Sequence, residues 1–163
     1  MLAQAPAVTT VSTLGFEAVA AFLSCYGLTL KTVADGAPIT ASYWGETEAG
    51  VIGRSLYARS DTPVHSVLHT ASHVLCMSEE RRQTLHTDCG GSDPEEEAVC
   101  YLQCVLADSL PGYSQRQCFA DMDAWGYHFI AGSAQAWFER ESADAKHWLM
   151  AAGKLSGDGG VAV

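Results

Sequence analysis

Residues 63–77, Pro63-Val-His-Ser-Val-Leu-His-Thr-Ala-Ser-His-Val-Leu-Cys-Met77, decide how this chain is read. Asp61-Thr62-Pro63 opens the stretch as a helix start, with a candidate capping side chain followed by a proline near the first helical position. At about 100° per residue, Val64, Val67, Leu68, Ala71, Val74 and Leu75 share one face, which predicts the core-facing stripe of a helix. His65, His69 and His73 fall at roughly 100°, 140° and 180° from Val64, a second stripe turned away from the apolar one. Histidines four residues apart can each point one ring nitrogen at a single metal ion. The alternative is a solvent-facing polar stripe that uses histidine.

A metal held by two imidazoles needs a third protein ligand, and the following segment offers carboxylates. Asp93-Pro94-Glu95-Glu96 starts a predicted helix that runs through AVCYLQCVLADSL and stops at Pro111-Gly112. Glu95 lies on the line of Val99, Leu102 and Leu106. A carboxylate on a buried stripe is costly unless it is paired or bound to a cation, so Glu95 is the first candidate. Glu96 is the second, because with Asp93 it forms the D-x-x-E pattern of a capping box. Both also suit the positive end of the helix dipole as plain acidic residues. His65 stands one turn from the metal position, beside the ligands or at the surface. Glu97 points elsewhere, and His86 is a further possible ligand.

Around these helices the pattern is mixed. A tail of about a dozen residues precedes a helix carrying Phe16, Val19, Ala20 and Leu23, capped by Ser12 or Thr13 and ended by Gly27. LTLKTV, ITASYW and GVIGRSLYAR are β-prone runs and predict two or three antiparallel strands, with Gly50 and Gly53 marking a bulge or a close approach. Helices are expected around Ser114 to Trp125 and Ser133 to Met150. The expected architecture is α+β, a helix-rich domain over residues 1–152 with a small antiparallel sheet, then a flexible Gly-rich tail over 153–163.

The order of strand, H-x-x-x-H helix, linker and E-x-x-A helix resembles the small gluzincin-type (HExxH) zinc metallopeptidases, from Val51 to Leu106. HTASH stands where that family carries HExxH, and EEEAVCYL stands where it carries its third ligand. The resemblance implies a zincin-like fold, a zinc cofactor, His69, His73 and Glu95 as ligands, and a cleft beside the edge strand GVIGRSLYAR where an extended peptide adds on. Two positions depart from the family. Thr70 replaces the general-base glutamate, a loss worth about two to four orders of magnitude in rate. Val99 stands where a polar residue often orients a histidine ligand. The expectation is a metal-binding, metallopeptidase-like protein whose hydrolase activity is impaired or absent. The alternatives are a non-catalytic pseudo-enzyme that binds a peptide or protein, and a metal-free helical interaction protein.

Composition narrows the partners. The 163 residues carry a formal net charge of -10, and no basic cluster exceeds Arg81-Arg82. Such a surface repels phosphate backbones and anionic membranes, so neither nucleic acid nor membrane is expected as a partner. No apolar run reaches the roughly 18 residues of a membrane span, and the N-terminus does not read as a secretory signal. A cytoplasmic location is expected, with Cys25, Cys76, Cys89, Cys100, Cys104 and Cys118 reduced and mostly buried. Neither Cys76 nor Cys100 sits in a nucleophile signature. Tyr43, Trp44, Trp125, Trp137 and Trp148 are candidates for a pocket lining or for the core.

Overall fold

The computed structural model describes residues 7–162. The first six residues of the expected N-terminal tail, and Val163, lie outside them. Val11–Leu14 (α1) and Phe16–Ser24 (α2) come first, followed by strands Thr29–Thr32 (β1), Gly50–Ile52 (β2) and Ser55–Ala58 (β3). Six helices follow: Val64–Cys76 (α3), Glu79–Gln83 (α4), Asp93–Ala107 (α5), Gln115–Trp125 (α6), Ala134–Arg140 (α7) and Ala143–Ala151 (α8). The fold is α+β and helix-rich, with one small sheet, as the hydropathy pattern implies.

The sheet is mixed rather than antiparallel. Its order is β1-β3-β2, with β1 parallel to β3 and β2 antiparallel to it. GVIGRSLYAR is not one strand but the β2–β3 hairpin. Gly53 takes the first turn position at φ 58°, a conformation that L side chains seldom adopt. Gly50 is a close approach: a Cβ there would stand 1.8 Å from the Thr40 carbonyl oxygen. ITASYW is a turn-rich loop that meets the sheet at a single bridge, Ser42 with Gly50.

That loop changes the expectation of an open edge. The outward-facing Val51 N–H donates to the Ala41 carbonyl at 3.2 Å, and the Val51 carbonyl accepts from Thr87 N–H at 2.9 Å. Gly53 N–H donates to Leu85 O at 2.9 Å. The ladder groups that an added peptide strand would use are already paired within the chain.

Helix α3 is central. Its apolar stripe is buried, as the periodicity predicts, and the helix packs most extensively against α5. No side chain caps it. Pro63 occupies the cap position, while Val64 N–H donates to Thr9 O at 2.9 Å and Thr62 Oγ1 instead accepts from Arg59 N–H. Helix α5 lies between α3 and α8 and is therefore buried on two faces. The expected helix from Ser133 to Met150 is broken after Arg140 into α7 and α8. Residues 153–162 fold back on the end of α8. Lys154 N–H donates to Leu149 O at 2.8 Å, Leu155 is buried, and Ala162 N–H returns to Lys154 O at 2.9 Å. Leu155, with the partly buried Val161 bridged to it, anchors the Gly-rich run to the core. Among the described residues no helix is long and apolar enough to cross a membrane.

Candidate metal centre

Two facing stripes form the seam between α3 and α5. On α3 it carries His65, His69 and His73. On α5 it carries Glu96, Cys100 and Gln103, spaced four and three residues apart so that they share a face. Glu96 is the carboxylate that reaches both histidines of HTASH: Oε1 is 3.0 Å from His69 Nε2 and Oε2 is 3.0 Å from His73 Nε2. His69, Glu96 and Cys100 each bring a ligand atom within 4.8 Å of the others, a group able to hold a metal ion.

Glu95, the first candidate from the sequence, is turned away from this seam. Only 5% of it is exposed, and both of its carboxylate oxygens lie 2.9 Å from Arg81 Nη1. The requirement that a buried carboxylate meet a cation holds, and the cation is a guanidinium. The short helix α4, inside the polar connector, delivers Arg81, which also donates to Cys89 O. Glu96 is free to face the histidines because the cap of α5 is Ser92, whose hydroxyl accepts from Glu95 N–H. The Asp93–Glu96 capping box does not form. Glu97 is exposed, and His86, also exposed, bonds Thr87 Oγ1 through Nδ1 at 2.8 Å rather than joining the seam.

Gln103 sets the chemistry of His69. This glutamine is fully buried, and its amide nitrogen donates to the His65 carbonyl at 2.8 Å. A carbonyl can only accept, so the amide orientation is fixed and Oε1 faces His69 Nδ1 at 2.9 Å. His69 Nδ1 must then carry a hydrogen, and a neutral His69 would present its Nε2 lone pair to the Glu96 carboxylate. Two acceptors at 3.0 Å repel one another unless a cation, either a proton or a metal ion, lies between them. With a proton there, His69 is an imidazolium. Burial alone would depress its pKa, but Tyr127, Cys100 and Glu96 around it hold it well above the usual histidine range. Burial would raise Glu96, yet the hydrogen bonds from His69 and His73 hold it well below the carboxylate range.

The other two histidines differ. His73 is buried and its Nδ1 has no hydrogen-bond partner, so nothing orients it as Gln103 orients His69. His65 is fully buried rather than at the surface. Its Nδ1 lies 3.3 Å from Tyr127 Oη, its Nε2 is unpartnered, and its ring packs edge-on against Trp125 and Tyr127.

The seam opens into a cleft of about 660 Å³ that Thr70 also lines. Tyr43, Trp44 and Trp125 line it as well, whereas Trp137 and Trp148 belong to the core. Trp44 is 76% exposed and stacks edge-on with Tyr43 at the rim. Across the cleft, Glu48 accepts from the Trp125 indole N–H at 3.2 Å, and burial raises its pKa. Cys100 and Gln103 were legible only as partners of Glu96 at helical spacing, once Glu96 rather than Glu95 is placed on the seam. Tyr127 follows the Gly126 cap of α6 and gave no metal-site signal in the sequence.

Comparison with known protein families, curated proteins and solved structures finds no match to this chain. Fold and site together define an α+β protein with a cluster of side chains between two packed helices that could hold a metal ion.

The orienting role of Gln103 is open to test. Gln103→Met keeps the buried volume and removes the acceptor for His69 Nδ1–H. If the cluster takes an added metal ion, its affinity, read by chelator competition, is expected to fall about 10- to 100-fold. An unchanged affinity would show that His69 does not depend on Gln103.

Proposed function

We propose that this chain is a zinc-binding protein of metallopeptidase-like organisation that holds the ion between α3 and α5 through His69, His73 and Glu96, with peptidase activity impaired or absent. The observation that carries this reading is the fixed tautomer of His69, whose Nε2 faces a carboxylate and requires a cation between them. Nitrogen and oxygen donors on a tetrahedral zinc stand about 3.3 Å apart, close to the 3.0 Å separations from Glu96 to both histidines. A bound zinc supplies a Lewis acid and an organising charge.

The chain's own residues argue against efficient hydrolysis. Thr70 is not a base near neutral pH, and the backbone edge beside the cleft is already paired. The cleft, with its exposed aromatic rim, suits an apolar side chain of a peptide or protein partner.

The second reading, a metal-free interaction protein, rests on the same contacts with a proton in place of the ion. Elemental analysis of protein purified without an affinity tag separates the two. Stoichiometric zinc is expected, and His69→Ala should lose it. Metal content unaffected by His69→Ala, or a wild-type chain that takes up no zinc after equilibration, would sink the metal reading.

A further inference from the structure

We propose that Cys100 is a fourth metal ligand, so that the site is a closed set of two histidines, one carboxylate and one thiolate. This rests on the metal-binding reading above and says what kind of metal site it is.

The geometry comes from two helices that each present an i, i+4 pair to the same seam. Helix α3 presents His69 and His73, and α5 presents Glu96 and Cys100. The close group is His69, Glu96 and Cys100, with ligand atoms within 4.8 Å of one another, and His73 joins it through the second oxygen of Glu96. On a tetrahedral zinc a sulfur and a nitrogen stand about 3.6 Å apart, so these three close around the ion by side-chain movement of about 1 Å, while His73, outside the 4.8 Å group, must swing further to join them. Cys100 is buried yet lines the cleft at the site, whereas Cys104, one turn further along α5, packs its sulfur 3.7 Å from Met122 Sδ in the core.

Two consequences follow from the donor chemistry. A thiolate selects zinc over magnesium, calcium or manganese, which favour all-oxygen sites. Four protein donors fill a tetrahedral zinc and leave no open position, the arrangement of structural rather than catalytic sites. The missing glutamate at Thr70 and the added sulfur at Cys100 then have one explanation. The metal ties α3 to α5 beneath the cleft, and its binding energy adds to the stability of that helix pair.

Cobalt(II) bound to the full-length chain reads the sulfur directly. Wild type is expected to show a thiolate-to-cobalt charge-transfer band in the near ultraviolet. Cys100→Ser should lose the band and bind cobalt about 100-fold more weakly. Cys89→Ser, which alters the other cleft cysteine, should retain it. If Cys100→Ser does not fold, iodoacetamide labelling of wild type decides the matter: zinc should protect Cys100 while the exposed Cys25 labels at the same rate with or without metal. Cobalt binding without the band, a band that survives Cys100→Ser, or labelling of Cys100 indifferent to zinc overturns the thiolate ligand and leaves metal binding standing. A wild-type chain that binds neither cobalt nor zinc overturns both.

Discussion

Glu96→Gln is expected to weaken zinc binding by two orders of magnitude or more, while Glu95→Gln leaves it within a few-fold of wild type. Structural zinc sites bind with about 10–16 kcal/mol in all, so each of four donors carries about 3 kcal/mol, or roughly a hundredfold in affinity. An amide in place of the Glu96 carboxylate also leaves the two Nε2 atoms without the anion that now faces both. Glu95 has a different task. It neutralises Arg81 at the far side of α5's first turn, and its loss is expected to appear in urea unfolding rather than in metal binding. The destabilisation should be about 1–2 kcal/mol, below that of a fully buried pair, because the Arg81 side chain is 40% exposed and water can solvate it. Chelator competition and urea midpoints on the two variants form a crossed pair of measurements. Equal losses of zinc affinity in both would show that the choice between adjacent carboxylates is wrong.

This pair of residues also shows how far the sequence reading reaches. The apolar stripes of α3 and α5, the α+β class and the HTASH histidines follow from periodicity, which a single chain displays openly. The roles of Glu95 and Glu96 turned on details that periodicity does not carry. One was the cap of α5, which is Ser92 rather than Asp93 and so frees Glu96 from capping. Another was Arg81, hidden in a connector too short and polar to read as a helix, where α4 nevertheless forms. The apolar line Glu95, Val99, Leu102 and Leu106 was a true face of α5. A helix packed on both sides has a second inward face, and that one holds the buried Cys100 and Gln103 with the half-exposed Glu96 at its open end. The parallel pairing of β1 with β3 was out of reach for a related reason. It depends on a long connection through residues 33–49, and local propensity says nothing about which distant strand closes it.

Acid should destabilise the chelator-treated protein below pH 6.5, and His65 should be the main cause. Burial, helped by the neighbouring charge of His69, pushes His65 down to about 3 from an ordinary 6.5. The unfolded chain therefore takes up this proton before the folded one does, so stability is full above pH 6.5 and declines as pH falls towards 3. At pH 4.5 the decline from this residue alone is about 3 kcal/mol. The geometry agrees, because a proton added to the ring would be enclosed at a site where Nε2 has no partner and the residue has no exposure. The two ionised groups at the seam act in other windows. His69, with its raised pKa, contributes stability that is complete below 6.5 and is lost only as pH rises through its folded value. Glu96, with its lowered pKa, contributes above 4.5 and loses that contribution only in stronger acid. Glu48, raised by burial, acts in the upper part of the acid range with the opposite sign, so between pH 4.5 and 6.5 the loss of stability on acidification belongs to His65. His65→Phe keeps an aromatic ring against Trp125 and Tyr127 and removes the titration, at the cost of the contact with Tyr127 Oη. Its urea midpoint is expected to lose the wild-type decline on acidification across that interval. A variant that keeps the wild-type slope would assign acid sensitivity to another group and remove His65 from the account.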